Sequence, residues 1–314
     1  MEAYTDFAQV YDELMDETPY EEWCDFLEML LEKHGFSKND IAVTNGKEET
    51  AEVSAVDTTS ECVAKNLAQE RNTILDLGCG TGTLTELFAR RGYDMIGIDN
   101  AQEMLQIALE KRERSGLPIL YLLQDMREFE LYGTVGAVIS VCDSLNYLLE
   151  ESDIIKTFRL VNNYLYPQSL FIFDFNTVYK YAQVIGDATI AENREDCSFI
   201  WENYYHEAEE INEYDLTVFV AEGRNESEAG GTAADAAGKT ACGQMDERFR
   251  RFQEVHYQRG YCLEQMMDFL VQAGLSFVEA IDADTHGKVT GESERIYVVA
   301  RKGTETTANQ KAER

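Results

Sequence analysis

The stretch ILDLGCGTG at residues 74–82 constrains the fold of this chain more than any other feature. It begins as the end of a buried strand, and Gly78, Gly80 and Gly82 then follow at alternate positions. The next run, LTELFARR at residues 84–91, predicts a helix. Glycines permit positive φ and close approach of a ligand, and a helix N-terminus offers free N–H groups with a partial positive charge. We therefore predict a ligand-binding corner that suits a carboxylate or a phosphate.

Strands and helices alternate after this corner. The predicted strands are Thr73–Leu77, Met95–Ile98, Ile119–Leu123, Ala137–Val141 and Leu170–Phe173, with helices at Ala101–Arg114 and Ser152–Leu165. Such alternation is typical of a parallel sheet covered by helices on both faces, with ligands at the carboxyl ends of the strands. An acid stands at each of these ends: Asp76, Asp99, Asp125, Asp143 and Asp174. We expect these carboxylates to surround the ligand.

The rest of the chain predicts a single domain with additions to this core. The predicted parts are an N-terminal helical lid (1–36), an exposed acidic insertion (37–71), the cofactor-binding core (72–175), an antiparallel β cap (176–262) with a second insertion (223–245), a closing helix with the last two strands (263–303), and a disordered tail (304–314). Pro19 separates two helices in the lid, with Thr18 as the predicted N-cap. Tyr11 is a candidate for closing the pocket, whereas Trp23 is expected to pack on the body of the protein.

Composition excludes several classes of protein. The net charge of −32 argues against non-specific binding to nucleic acid or to an anionic membrane, because phosphates would be repelled. No apolar run is long enough to span a bilayer, and the acidic N-terminus does not resemble a signal peptide. The seven cysteines form no C-x-x-C pair and histidines number only four, so we expect a cytoplasmic protein without a metal. We also expect the protein to be either a monomer or a homodimer.

Asp99 narrows the identity of the ligand. It ends the second predicted strand, about 20 residues after the glycine turn, where a carboxylate can accept hydrogen bonds from both ribose hydroxyls. The same carboxylate would repel a 2′-phosphate. The turn itself reads G-C-G-T-G, which lacks the G-x-G-x-x-G spacing of dinucleotide-binding enzymes. A nicotinamide-dependent oxidoreductase is therefore the less favoured hypothesis.

The nine-residue stretch resembles motif I of class I S-adenosylmethionine-dependent methyltransferases. The resemblance implies a Rossmann-like, seven-stranded α/β sheet whose last strand is antiparallel, with S-adenosylmethionine as cofactor and S-adenosylhomocysteine as product. It also implies roles for residues at the strand ends. The methionine part of the cofactor would be held by Asp76 and by the turn of Gly78, Cys79, Gly80 and Gly82. The ribose would be bound by Asp99, with Asn100 beside it, and the adenine would be surrounded by Gln124, Asp125 and Met126. The sulfonium would face Val141, Cys142 and Asp143.

A closer resemblance is to the bacterial YqeM-type methyltransferases. It rests on FAQVYDELM (7–15), VCDSLNYL (141–148), FDFNT (173–177), IWENYY (200–205) and EVHYQR (254–259). The chain departs from that family before the fifth strand, where Pro167-Gln168-Ser169 replaces the usual Pro-Gly-Gly. The resemblance specifies the cofactor more closely than it specifies the methyl acceptor.

Candidate catalytic residues come from the cap and from the segment after the fourth strand. Alternation along Arg251–Arg259 places Glu254 and His256 on one face, where they could orient or deprotonate an acceptor; the alternative is a solvated face. Asn146 and Tyr147 follow the fourth strand, where an acceptor would lie, or else simply pack in a loop. Tyr204 and His206 share a face of an earlier cap strand and form a second candidate pair.

These features predict a methyltransferase that positions its acceptor for in-line displacement and excludes water. No N/D-P-P-Y motif follows the fourth strand, and together with the acidic charge and the cap this favours a small-molecule acceptor. Two alternatives stay open: a non-catalytic S-adenosylmethionine-binding or interaction protein, and a methyltransferase that acts on structured RNA.

Overall fold

The computed structural model describes Tyr4 and residues 7–36, 70–221 and 248–303. The insertion predicted at 37–71, apart from its last two residues, lies outside the described residues. The second predicted insertion (223–245) and the predicted tail (304–314) also lie outside them.

Two sheets and six α-helices make up the described chain. The helices are α1 (Ala8–Leu14), α2 (Tyr20–Lys33), α3 (Thr83–Arg90), α4 (Gln102–Ser115), α5 (Glu151–Tyr164) and α6 (Leu263–Gln272). The strands are β1 (Thr73–Leu77), β2 (Asp94–Asp99), β3 (Leu120–Leu123), β4 (Val135–Ser140), β5 (Leu165–Asn176), β6 (Thr189–Asn193), β7 (Cys197–His206), β8 (Ile211–Ala221), β9 (Phe249–Arg259), β10 (Leu275–Asp282) and β11 (Arg295–Lys302). A 3₁₀ turn spans Ser144–Tyr147, and a π-helical turn spans Lys180–Ile185.

The main sheet has seven strands in the order β10-β11-β5-β4-β1-β2-β3. Strands β1 to β5 pair in parallel, whereas β11 is antiparallel to both β5 and β10. This confirms the predicted seven-stranded α/β sheet with its last strand reversed. The carboxyl ends of β1, β2 and β4 consequently meet at one edge, which is where the glycine turn begins.

Helices bury both faces of this sheet. Leu75 and Phe171 belong to an apolar cluster with residues of α5 and α6, whereas Ile74 and Ile172 belong to a second cluster with residues of α2 and α3. Successive strand residues thus face opposite cores, which explains why the strands are nearly continuous apolar runs. The fixed two-sided packing holds the strand ends, and the acids on them, in place.

The second sheet, here called the cap sheet, is antiparallel and consists of β6, β7, β8 and β9 in sequential order. The sequence predicted three of its strands and missed β6, because all five residues of β6 are exposed and show no apolar alternation. Val10 of α1 packs with Leu216, Val218 and Phe252 of the cap sheet. The N-terminal segment (Tyr4 and residues 7–36 of the described chain) therefore contacts the cap sheet as well as the main sheet.

Two local features bear on the sequence predictions: the N-cap of α2 and the backbone conformation at Gln168. Pro19 occupies the N-cap of α2, and Thr18, the predicted cap, donates its hydroxyl to the Sδ atom of Met15 instead (3.7 Å). Gln168 has a φ of 68°, a left-handed conformation that costs a non-glycine residue roughly 1–2 kcal/mol. The Pro-Gly-Gly of the YqeM-type pattern would avoid that cost at this turn.

Candidate active site

The glycine turn brings the end of β1 against the end of β2. The N–H groups of Gly78 and Cys79 both donate to the carbonyl of Ile98, over 2.8 and 3.0 Å. Gly82 has a φ of 73°, and a Cβ atom there would lie 2.3 Å from the hydroxyl of Tyr121. A Cβ atom on Gly80, in contrast, would meet no atom within 4 Å. The turn is therefore packed on one side and open on the other, as a cradle for a ligand requires.

Asp99 is fixed by the backbone around it. Its carboxylate accepts hydrogen bonds from the N–H of Gly80 (2.8 Å) and of Ala101 (2.9 Å). Burial raises the pKa of Asp99, and these backbone donors partly oppose the increase. The carboxylate is thus held beside the glycine turn, at the end of β2.

Asp76 is the most deeply buried acid of the turn, with 3% of its surface exposed. Thr85 donates its hydroxyl to the Oδ2 atom of Asp76 across 2.6 Å. Burial raises the pKa of Asp76 to about 7, although the Thr85 bond acts in the opposite direction. Asp76 therefore changes its charge near neutral pH.

A cavity of about 600 Å³ opens at this edge of the sheet, within the range of small-ligand sites. Twelve of the fourteen predicted cofactor-binding residues line it: Tyr11, Asp76, Gly78, Cys79, Gly80, Asp99, Asn100, Gln124, Asp125, Met126, Val141 and Cys142. Gly82 and Asp143 are not among the lining residues. Gly82 lies against Tyr121, and the carboxylate of Asp143 accepts a hydrogen bond from Gln258.

The backbone after β4 is held in an uncommon conformation. Cys142 and Asp143 both have positive φ (62° and 53°), and their N–H groups donate to the two carboxylate oxygens of Asp174 over 3.1 and 2.9 Å. Asp174 is fully buried, which raises its pKa to about 6, while the charge of Arg295 opposes the increase. This turn points Cys142 into the cavity and directs Asp143 toward Gln258.

Asp125 is held by an arginine at the edge of the cavity. Arg127 donates to its carboxylate over 2.6 Å, and Asp125 also accepts the N–H of Arg127 (2.8 Å). These bonds keep the pKa of Asp125 below its usual range. The guanidinium of Arg127 also contacts Asp153 at 3.2 Å, so its charge is shared between two carboxylates.

Aromatic residues of the N-terminal segment cover the cavity. Tyr4, Tyr20 and Trp23 line it together with the predicted Tyr11. The sequence predicts that Trp23 packs against the body of the protein, and it does not single out Tyr4 as a cavity residue. The helical spacing of these aromatics was visible in the sequence, but which side of the helix faced the cavity depends on how the segment packs.

Of the four predicted catalytic residues, Tyr147 lines the cavity. Its hydroxyl lies 2.7 Å from the hydroxyl of Tyr4, 2.6 Å from that of Tyr214 and 3.1 Å from the Nδ1 atom of His256. The rings of Tyr214 and His256 stack with centroids 4.8 Å apart. We call these four residues the tyrosine–histidine cluster.

The face of β9 that carries Glu254 and His256 is buried, with 5% and 1% exposure, so the alternative of a solvated face is wrong. The carboxylate of Glu254 accepts the N–H of Tyr4 (2.8 Å) and of Phe7 (2.9 Å). Its Oε2 atom is also 3.3 Å from the Nε2 atom of His256, although this nitrogen makes no geometrically good hydrogen bond with a described residue. Glu254 therefore holds the N-terminal segment in place. His256 is linked to the cavity by its contact with Tyr147.

The other candidate catalytic residues do not reach the cavity. The amide of Asn146 donates to the carbonyls of Asn176 (2.9 Å) and Arg259 (2.7 Å), and its oxygen accepts the N–H of Asn176 (2.9 Å). The expectation that Asn146 faces an acceptor is corrected, because these contacts join the ends of β5 and β9. Tyr204 and His206 are exposed on the cap sheet, where His206 pairs with Glu213 at 2.8 Å.

No helix in the described ranges combines the length and the apolar character needed to cross a bilayer. Across the same part of the chain, no group of three or more His, Cys, Asp or Glu residues is placed to hold a metal ion.

Comparison with known proteins agrees with this geometry. Residues 74–168 match the family model described as a methyltransferase domain. The crystal structure of an S-adenosylmethionine-dependent methyltransferase from Clostridium acetobutylicum has the same fold, with a TM-score of 0.71 at 24% identity, covering 96% of this chain and 100% of that one. The fold and the cavity thus define a class I S-adenosylmethionine-dependent methyltransferase.

Full-length relatives show the family. The methyltransferase YqeM of Bacillus subtilis (strain 168) is 31% identical over 300 residues, which cover 95% of this chain and 97% of that protein. The chain belongs to the YqeM family of methyltransferases, and its cofactor is S-adenosylmethionine. A more distant relative, the dTDP-3-amino-3,4,6-trideoxy-alpha-D-glucopyranose N,N-dimethyltransferase of Streptomyces venezuelae, is 35% identical over 104 residues, or 33% of this chain and 40% of that enzyme.

Proposed function

We propose that this methyltransferase acts on a small molecule that binds at the Cys142–Tyr147 end of the cavity. One observation carries the proposal: Tyr147 lines the cavity and joins it to the buried imidazole of His256. The N-terminal segment borders this end, because Tyr4 lines the cavity and its hydroxyl lies 2.7 Å from that of Tyr147, and this favours a compact acceptor. The net charge of −32 disfavours a polyanion such as RNA. The acceptor in the name of the Streptomyces relative, an amino sugar, is also a small molecule.

The twelve lining residues fit the cofactor in the order that the resemblance implies. We assign Asp99 to the ribose hydroxyls, since its carboxylate is fixed at the turn by Gly80 and Ala101. Asp76 and the open side of Gly80 suit the methionine end. Asp125, oriented by Arg127 and lying beside Gln124 and Met126, is assigned to the adenine amino group. Asn100 flanks the ribose, and Val141 with Cys142 forms the floor below the sulfonium.

Bound S-adenosylmethionine supplies a methyl group on a sulfonium centre, ready for in-line displacement. The protein has to orient the acceptor, keep water away and, where the acceptor is protonated, remove a proton. Burial raises the pKa values of Tyr4, Tyr147 and Tyr214 well above the usual value for tyrosine, so their hydroxyls stay protonated. None of these hydroxyls can then act as the final base.

His256 fills that role through Tyr147. The acceptor donates its proton to the Tyr147 oxygen while Tyr147 passes its own proton to the Nδ1 atom of His256, 3.1 Å away. This leaves the electron pair of the acceptor atom free for the methyl group that bound S-adenosylmethionine would supply, with sulfur as the leaving atom. Glu254, which the sequence placed among the catalytic candidates, acts as a positioning residue, because both of its oxygens bind the backbone of the N-terminal segment.

Radiolabelled methyl transfer tests the proposal. The purified protein is incubated with methyl-labelled cofactor and either a filtrate of small metabolites or total RNA from a bacterial cell extract. We expect label in the metabolite fraction, stoichiometric S-adenosylhomocysteine, and strongly reduced transfer by Tyr147→Phe. Label confined to RNA would favour the RNA alternative. Tight cofactor binding without S-adenosylhomocysteine from either fraction would indicate a non-catalytic protein.

A further inference from the structure

Arg295, the first residue of β11, holds its guanidinium between two aromatic rings. The Cζ atom lies 4.6 Å from the ring centroid of Trp23 and 5.8 Å from that of Tyr297. Only 16% of the side chain is exposed. Stacking of this kind fixes the plane of an arginine, so that its N–H groups point in set directions.

Within the described chain, the donors of Arg295 are nearly unused. Its nearest carboxylate is Asp174, at 3.6 Å from Nη1, which is longer than a hydrogen bond, and the charge of Asp143 also acts on it. None of its side-chain nitrogen atoms is both fully buried and without a hydrogen-bond partner. The nitrogens that make no hydrogen bond are therefore accessible to solvent. Other arginines of similar exposure differ, since Arg91 (20%) and Arg259 (19%) both donate good hydrogen bonds.

Arg295 does not itself line the cavity, but it lies next to residues of the cavity wall. Trp23, over which it stacks, lines the cavity, and so does Cys142, whose N–H is bound by the same Asp174 oxygen that faces Arg295. The charge of Arg127, a lining residue, is already shared between Asp125 and Asp153. Lys180, nearby, donates to Asn176 (3.0 Å) and faces the charge of Asp143. Arg295 is thus a pre-oriented cation with donors to spare.

We propose that Arg295 binds an anionic group, a carboxylate or a phosphate, on the methyl acceptor. A planar guanidinium matches both anions with two parallel hydrogen bonds, and its fixed position reduces the entropy lost on binding. The acceptor would then be an anionic small molecule that places its nucleophilic atom near Tyr147 and its anion against Arg295. The inference rests on the proposed function, because it names the substrate class of the same site.

Binding of simple anions tests the role of Arg295 without turnover. Protein saturated with S-adenosylhomocysteine is titrated with benzoate and with inorganic phosphate in separate calorimetric series at constant ionic strength. Because removing Arg295 alone would leave Asp174 buried without a counter-charge, the comparison is between Asp174→Asn and the double variant Asp174→Asn, Arg295→Met. Both variants lack the Asp174 charge and differ only in the guanidinium.

We expect saturable binding of at least one anion by the wild type and by Asp174→Asn, and a loss of about tenfold or more in the double variant. The anion that shows this loss distinguishes a carboxylate from a phosphate acceptor. Equal binding by the two variants, or no saturable binding of either anion by the wild type, overturns the inference. Cooperative thermal unfolding of both variants at similar Tm values shows that they are folded.

The two proposals can fail separately. Methyl transfer to metabolites without any Arg295-dependent anion binding removes the inference and leaves the proposed function. Arg295-dependent binding without methyl transfer from any fraction removes the proposed function and leaves an anion site beside the cofactor.

Discussion

Thr81 in the glycine turn donates a hydrogen bond of 2.6 Å to Asp12 of α1, and so connects the N-terminal segment directly to this turn. Lys111 of α4 strengthens this connection, with its ammonium 2.6 Å from the other oxygen of Asp12 and 3.1 Å from the Thr81 hydroxyl. Because the two parts share these contacts, we expect docking of the N-terminal segment and binding of the cofactor to be thermodynamically coupled.

Asp12→Ala is expected to weaken the binding of S-adenosylhomocysteine about tenfold, since a charge-assisted hydrogen bond contributes roughly 1.5–3 kcal/mol and part of it is recovered by water. Most of the change should appear as faster dissociation, measured by stopped-flow fluorescence. Glu17→Ala, which changes an exposed acid just after α1, is the control. Equal dissociation rates for the two variants would show that the segment does not retain the cofactor.

Asp99→Ala should weaken cofactor binding by a few kcal/mol, because the charge-assisted bonds to the ribose and the anchors to Gly80 and Ala101 are lost together. Calorimetric titration with S-adenosylhomocysteine measures the change. Asp94→Ala, at the opposite end of β2, removes an acid of the same strand far from the cavity and should leave the affinity intact. An unchanged affinity in Asp99→Ala would remove this carboxylate from the site.

Asp76→Asn should stabilise the ligand-free protein at alkaline pH and have little effect near pH 4. The folded-state pKa of Asp76 is about 7, above the ordinary value of 3.8, so the native state binds more protons than the unfolded state between these values. The contribution of this group to the free energy of unfolding therefore falls as the pH rises from about 4 to about 7. The amide stays neutral and can still accept the Thr85 hydroxyl.

Thermal unfolding of the wild type and of Asp76→Asn at pH 5 and pH 8 measures this difference. The Tm gap in favour of the variant should widen by a few degrees at the higher pH. A constant gap would mean that Asp76 keeps the same charge at both values. The variant should also bind S-adenosylmethionine more weakly, because the charge that faces the cationic methionine end is lost.

Tyr147→Phe and His256→Ala should each lower turnover about a hundredfold, in the lower part of the range for general acid–base catalysis. Affinity for S-adenosylhomocysteine should stay the same, since neither group is assigned to the cofactor. Tyr204→Phe, an exposed tyrosine on the cap sheet, is the matched control for loss of one hydroxyl. Normal turnover in His256→Ala, once an acceptor is known, would leave His256 with a purely structural role.

The parts of the fold that the sequence predicted correctly depend on local chemistry. The glycine turn, the acid at each strand end and the reversed last strand all follow from short patterns or from the family resemblance, and twelve of the assigned cofactor residues line the cavity. Strand β6 was missed because its exposed residues carry no periodic signal, and only its pairing with β7 defines it.

Contacts between distant parts of the chain explain the remaining differences. Alternation along β9 correctly grouped Glu254 with His256, but no local pattern could show that Tyr4 and Phe7 cover them. Asn146 follows the fourth strand as an acceptor-facing residue would, yet its amide is used by backbone groups of Asn176 and Arg259. The role of a polar side chain of this kind cannot be predicted until its tertiary partners are known.

The bond between Tyr4 and Glu254 joins residues 250 positions apart, and this separation has a consequence for biosynthesis. During translation the first helix leaves the ribosome long before the strand that will fix it. At ordinary elongation rates of about 5–20 residues per second, the delay is roughly 12 to 50 seconds. The nascent chain can assemble its central strands in that interval, but the cover over the cavity closes only after β9 has emerged.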